Sequence, residues 1–192
     1  QWSSSAASDV YKRQIKNIRF KSFKKTLMIS LNRNLKTIVE TGTARGKTKF
    51  FFIKRYNWKD GMSTPMFAEY AKFAEGKLHT CDISSENIKN AKKFTSDFSN
   101  YIEFYTKDSL VFLKEFNYPI DLLYLDSLDG HDPIAASNHQ LKEAQIAMEK
   151  IHDKSLILLD DKGSKTNFSI NFLKKNNFKI IYETNHQVLL SQ

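Results

Sequence analysis

Cysteine is nearly absent from the chain. Cys81 is the single one in 192 residues, which excludes an intrachain disulfide framework and fits a reducing, cytoplasmic setting. No apolar run approaches the ~20 residues that span a bilayer, so no membrane partner is expected. Glycine is sparse, six in all, and the stretch from Gly42 to Gly46 does not supply the compact G-x-G-x-x-G turn of a nicotinamide dehydrogenase. The first residues lack the basic segment followed by an apolar one that marks a secretory signal. Acids are the scarcer charge, 21 against 30 Lys and Arg, for a net charge of +9. Such a balance favours polyanions, although a lysine-rich solvated surface is its more frequent cause.

What is present suits one globular domain with a sizeable core: 41% apolar and 27% charged residues over this length. Residues 1–14 are set apart, being small, polar and without period. They resemble translated adapter sequence from assembled reads, and are expected to be disordered or an artefact that replaces the native start. Residues 15–192 read as a single domain.

That domain is organised around residues 36–46. Ile38 and Val39 form an apolar run that reads as a buried strand over 36–40 and ends in Glu40 and Gly42. A strand that stops at glycine lets backbone approach a ligand, and such strand ends are where cofactors sit in open α/β sheets. Ahead of it, Phe20, Phe23, Leu27 and Leu31 recur at helical spacing as an amphipathic helix. Behind it, residues 44–62 interleave Arg45, Lys47, Lys49, Lys54, Arg55 and Lys59 with five aromatics. This insertion can stack single-stranded nucleic acid. A long loop over a crevice also serves as a lid, which is the favoured reading. Thr64 then reads as an N-cap, Pro65 as the first helical residue and Gly76 as the closing one. The start of that helix could receive a carboxylate.

Further strands end in acids. Residues 77–82 end at Asp82, with Ser84 capping a helix whose apolar face is Ile88, Ala91, Phe94 and Phe98. Asp82 can accept two hydrogen bonds from the vicinal hydroxyls of a ribose. Residues 101–105 form a third strand, and Asp108 and Ser109 beyond it cap a helix or meet an adenine edge. Residues 119–126 are apolar on both faces, hence central, and end at Asp126. A helix over 134–150 places Ile134, Asn138, Leu141, Gln145 and Met148 on one stripe. Residues 155–159 run into Asp160 and Asp161, a helix ends near Asn177, and 178–183 with 187–190 form an antiparallel hairpin. The alternation predicts an α/β fold, a mostly parallel sheet with helices on both faces. Glu40, Asp82, Asp126 and Asp160 share one rim, and so much like charge needs cations or hydroxyl partners.

In order, Val39-Glu-Thr-Gly-Thr, Gly61-Met-Ser-Thr, Cys81-Asp-Ile-Ser, Lys107-Asp-Ser and Asp121-Leu-Leu-Tyr-Leu-Asp126 resemble a class I S-adenosylmethionine-dependent methyltransferase. The resemblance runs from about residue 35 to the end. It implies a Rossmann-like, doubly wound, seven-stranded sheet with an antiparallel C-terminal strand. Within the class the chain is similar to the metal-dependent small-molecule O-methyltransferases of the catechol and macrocin type. By that resemblance Glu40, Gly42 and Thr43 line the methionine end of S-adenosylmethionine, Ser63 and Thr64 lie near its carboxylate, Asp82 and Ile83 hold the ribose, and Asp108 with Ser109 faces adenine. Asp126, Asp160 and Asp161 fall on the positions that bind a divalent metal such as Mg²⁺.

The sequence also departs from that pattern. Catechol-type enzymes carry a Lys base three residues after the strand-four Asp, where this chain has Asp129. Asp129 or His131 is then the candidate general base, against turn and loop roles for each. His139 and Glu143, one helical turn apart, read as a surface pair. The implied partner is a small hydroxylated acceptor, with a homodimer left open. A DNA base methyltransferase would carry a Pro-Pro-aromatic or Pro-Cys motif that is missing here. An RNA or nucleotide substrate, or a non-catalytic cofactor-binding protein, are the other readings.

Overall fold

Ile38 and Val39 have no exposed surface, because β1 (Thr37–Thr41) lies between two parallel neighbours. The structure, a computed structural model, describes residues 17–45, 47–50, 53–56 and 62–192. The reading of residues 1–14 lies outside them.

Around β1 the chain builds β4 (Lys77–Asp82), β5 (Ile102–Thr106), β6 (Ile120–Leu125), β7 (Ile151–Asp160), β8 (Lys179–Glu183) and β9 (Gln187–Ser191). They form a seven-stranded sheet in the order β5-β4-β1-β6-β7-β9-β8. Only β9 runs against its neighbours, antiparallel to β7 and to β8. This is the expected Rossmann-like sheet. Leu123, Ile157 and Val188 point to one face, under α4 (Ser109–Glu115), α5 (Pro133–Ala147) and α6 (Asn167–Lys175). Ile38, Leu122 and Leu156 point to the other, under α1 (Phe20–Asn32) and α2 (Ser63–Phe73), with α3 (Ser85–Phe94) alongside β4 and β5. Central strands buried on both faces read as unbroken apolar runs, which is why residues 120–125 and 155–159 were legible. Among the described residues no helix is long and apolar enough to cross a membrane.

Register sets the rim. Thr41 pairs with Cys81 and Leu125, and Leu125 with Leu159. The next residue on each strand is Gly42, Asp82, Asp126 and Asp160, so these four stand level. The chain runs outward from β1 to β4 and β5, then crosses back to β6, and the crevice at that reversal is where ligands sit in such sheets.

Several local expectations need correction. The segment 44–62 is not a plain loop: β2 (Lys47–Phe50) and β3 (Ile53–Tyr56) pair as an antiparallel hairpin. Whether it covers a ligand rests on residues outside those described. Thr64 is not the cap of α2. The helix begins at Ser63 after Met62, which has φ 46°, and the Thr64 hydroxyl goes to Glu40 instead. Glu75, at φ 51°, takes the left-handed turn expected of Gly76. Gly76 is needed for another reason, since a Cβ there would lie 2.3 Å from the Lys36 carbonyl oxygen.

Two helices depart from the faces expected of them, α1 only in part, since Phe23 and Leu27 do pack into the core. In α1, Phe23 is buried with Ser22, Thr26 and Ser30, while Leu31 is 46% exposed. Small hydroxyl residues let this helix approach closely, and Ser22 hydrogen-bonds Gln187 on β9. In α5 the buried face is Ala136, Gln140, Glu143, Ala144 and Ala147, and Ile134 is 70% exposed. Alanines bring α5 near the sheet. There the Gln140 amide donates to the carbonyls of Leu125 (3.3 Å) and Asp160 (3.4 Å), where β6 and β7 end.

Candidate active site

Gly42 fixes the geometry at the centre of the rim. Its φ is +85°, and a Cβ would lie 2.2 Å from the Asp126 carbonyl oxygen. Its N–H donates to Cys81 O, and the Asp126 N–H to Thr41 O. Backbone therefore closes on backbone where β1 meets β6, and only glycine fits. A cavity of about 760 Å³ opens above this point.

One end of the cavity is built around Asp82, on the tip of β4. Its Oδ1 accepts the Ser84 N–H (2.8 Å), and its Oδ2 accepts the Asn87 amide (3.1 Å) and the Thr43 N–H (3.3 Å). The carboxylate is held in place with about one of its roughly four lone-pair sites, on Oδ1, left for a ligand. Ile83, 76% exposed, lines the same wall. Asn87 was not singled out from sequence, although its place one turn into α3 after an acid-terminated strand could have marked it. Ser63, buried at the start of α2, also lines the cavity.

Behind this wall is Glu40, fully buried. Its Oε2 accepts from the hydroxyls of Thr64 (2.8 Å) and Thr80 (2.6 Å). Thr64 in turn accepts the Ala44 N–H at 2.8 Å, and Thr43 shares a hydrogen bond with Thr80 at 2.9 Å. Burial pushes the Glu40 carboxyl up to about 7, against the pull of its hydroxyl partners. Glu40 and Thr64 thus support the cavity without lining it. Asp108 and Ser109 do not line it either. Asp108 caps α4 through the N–H groups of Leu110 and Val111, and the Ser109 hydroxyl lies 2.9 Å from His139 Nε2.

The other end holds Asp126, Asp160 and Asp161, whose nearest oxygens lie within 4.8 Å of one another. The three candidate metal ligands are brought together, and two cations come with them. Arg19 Nε donates to both Asp160 oxygens (2.6 and 2.9 Å), and its Nη2 donates to Asp161 Oδ1 (2.8 Å). Lys165 Nζ donates to Asp126 Oδ1 (2.8 Å) and Leu128 O (3.0 Å), and lies 3.2 Å from Asp161 Oδ2. The Tyr124 hydroxyl, 3.2 Å from Asp126 Oδ2, completes the set. Burial and the neighbouring Asp160 push the Asp126 carboxyl well above the usual range, while Lys165 pulls the other way. Burial opposes the charges of Arg19 and Lys165, and the adjoining carboxylates outweigh it, so both stay protonated. Lys165 could have been noticed four residues after Asp161; Arg19, 141 residues from Asp160, left no local signal.

Asp129 and His131, the candidate bases, both line the cavity. Asp129 is ion-paired with Arg45. Burial works to raise its carboxyl, but the hydrogen bond and charge of Arg45 prevail and hold it below the usual carboxylate range. Asp132 caps α5 through the N–H groups of Ile134 and Ala135, both at 3.0 Å. The expectation of a surface pair at His139 and Glu143 fails, because the Glu143 side chain is 1% exposed.

The family model described as a methyltransferase domain matches residues 39–162. No curated protein matches the chain. Among solved structures, the chain is similar to the S-adenosylhomocysteine-bound methyltransferase PaMTH1 of Podospora anserina, at 10% identity and TM-score 0.64 over 88% of this chain and 77% of that one. It is similar to an O-methyltransferase of Bacillus cereus in complex with S-adenosylhomocysteine, at 12% identity and TM-score 0.60, covering 97% and 87%. It is also similar to an rRNA methylase of Streptococcus thermophilus, at 12% identity and TM-score 0.55, covering 88% and 94%. At these identities the likeness is one of fold. The cavity acids fall inside the matched stretch 39–162, whereas Arg19 and Lys165 fall outside it.

Proposed function

The chain belongs to the methyltransferase-domain family, and from that premise we propose that it transfers the methyl group of S-adenosylmethionine to a hydroxyl of a small polar acceptor. The observation that carries this reading is the two-ended cavity: Asp82, held by two backbone N–H groups and Asn87, stands across Gly42 from Asp126, Asp129 and His131. Asp82 takes a ribose hydroxyl on Oδ1, Ile83 packs on the nucleoside, and the backbone at Gly42 and Thr43 passes beside the methionine tail toward Ser63. Its volume of about 760 Å³ lies within the ~300–1,000 Å³ typical of small-molecule sites.

The sulfonium of the methyl donor carries its own leaving group, so the protein has to align the acceptor and take up its proton. His131 is the better proton acceptor of the two candidates. Asp129 is tied to Arg45 and held acidic, which weakens it as a base. A divalent ion would suit three converging carboxylates by chemistry alone. Here, however, the ammonium of Lys165 and the guanidinium of Arg19 already fill the space between them, and the residues do not fit such an ion.

The reading is tested by presenting tritiated S-adenosylmethionine with a panel of small polyhydroxylated acceptors and, separately, RNA. Label should enter the small-molecule fraction. His131→Ala should cut turnover about 100-fold or more while leaving S-adenosylhomocysteine affinity unchanged. Label in RNA alone would favour the nucleic-acid reading that the net charge of +9 supports, and binding without transfer would mark a non-catalytic protein.

A further inference from the structure

The acidic trio converges as the ligands of a cation would, and Arg19 and Lys165 are paired with it. Asp126 ends β6, and Asp160 with Asp161 ends β7, adjacent parallel strands. Carboxylates this close cannot all ionise without compensating charge. Each of their six oxygens faces a donor of this chain: Arg19 at three, Lys165 at two and Tyr124 at one. The two cations together bring a charge of +2, that of a divalent metal ion.

Lys165 is built into its place rather than swung there from solvent. Its side chain is 2% exposed, an unusual condition for lysine unless it is paired. The turn that presents it starts at Asp161 (φ 55°) and passes Gly163 (φ 89°). It is closed by the Lys165 N–H on Asp161 O at 3.2 Å and by the Gly163 N–H on the Thr166 hydroxyl at 3.2 Å. Around Nζ, Asp126 Oδ1 and Leu128 O accept hydrogen bonds from the ammonium, and Asp161 Oδ2 lies 3.2 Å away as an ion-pair partner. Arg19 is set just as firmly. Its N–H bonds Asn17 Oδ1, and its carbonyl accepts from the Ser22 hydroxyl at the start of α1. A Mg²⁺ ion needs oxygens at ~2.1 Å in octahedral array, and to supply them here Lys165 would have to leave a buried position.

We propose that Arg19 and Lys165 stand where a divalent ion would, so that the trio is an internal ion cluster and methyl transfer by this chain runs without metal. The inference rests on the methyl-transfer reading for its activity clause alone. In it Lys165 is a positioning residue: it lies beneath the cavity floor and fixes the carboxylates of Asp126 and Asp161 that face the acceptor.

Mn²⁺ binding, read from the free-ion paramagnetic resonance signal, tests it on the full chain without any assay of activity. The parent protein should leave the Mn²⁺ signal unchanged. Lys165→Met, checked for folding by its melt, should bind one Mn²⁺, and Asp160→Asn added to it should abolish that binding. Stoichiometric Mn²⁺ binding by the parent that is lost in Asp160→Asn would overturn the proposal. So would a folded Lys165→Met protein that gains no Mn²⁺. If Lys165→Met does not fold, the parent titration decides alone, together with methyl transfer in EDTA, which should match that in Mg²⁺; loss of transfer in EDTA would also overturn it. S-adenosylhomocysteine titration in EDTA separates the two readings, since failure to bind would count against the cofactor and not against the ion cluster.

Discussion

At the scale of single residues, Glu40 has a consequence that can be measured. It has no exposed surface and lies among the hydroxyls of Thr64 and Thr80. Burial raises its carboxyl from 4.5 to about 7. A raised acid binds its proton more tightly in the folded state, so its contribution to stability is fully present below the unfolded value and is lost as pH climbs through 4.5 to 7. Between pH 5 and pH 8 that loss amounts to roughly 2–3 kcal/mol. Glu40→Gln should escape it, so urea unfolding should show the variant gaining on the parent across that interval. A constant difference between the two proteins would mean that Glu40 is ionised throughout. Glu40 and Asp82 were both legible in the sequence, because an acid that ends an apolar run has few other places to be. Their division of labour was not: one carboxylate lines the cavity and the other supports it from behind, a distinction made by Thr64 and Thr80, which come from separate elements.

At the scale of elements, α5 departs furthest from expectation. Its largest apolar residues mark the wrong stripe, because closeness to the sheet here is achieved with alanine and the polar residues on that face have specific tasks. Gln140 ties the ends of β6 and β7. Glu143 stands buried 3.6 Å from His139, and this nearby carboxylate raises the imidazole above its ordinary 6.5, with burial working against it. A histidine raised in the folded state contributes stability that is complete below its unfolded value and is lost as pH rises through its folded value. His139→Gln should therefore cost more stability at pH 6 than at pH 8, read from urea midpoints of parent and variant. An equal cost at both would contradict the coupling. In contrast, β6 and β7 were readable at once, since strands covered on both faces have no polar side to confuse the pattern. The hairpin of β2 and β3 was not, since its basic and aromatic residues follow no clean alternation.

At the scale of the whole molecule, the sheet order and the level rim follow from features with long reach in the sequence: alternating elements, acids at strand ends and the Gly42 turn. The ion cluster at the rim does not. Arg19 reaches Asp160 across 141 positions and Lys165 reaches Asp126 across 39, and pairings at such separations leave no periodic trace. Binding of a ligand at the rim should bear on the entire fold. At about 100 times its dissociation constant, S-adenosylhomocysteine stabilises by about 2.7 kcal/mol, which for a domain of this size raises Tm by roughly 5–10 °C.

The central claim is that the Asp82 end of this cavity holds a nucleoside. Calorimetric titration of S-adenosylhomocysteine into the parent protein and into Asp82→Ala tests it directly. Saturable one-site binding by the parent, weakened about 10- to 100-fold in the variant through loss of a charge-assisted hydrogen bond, is the predicted result. No binding by the parent, or equal affinity in the two proteins, would contradict it.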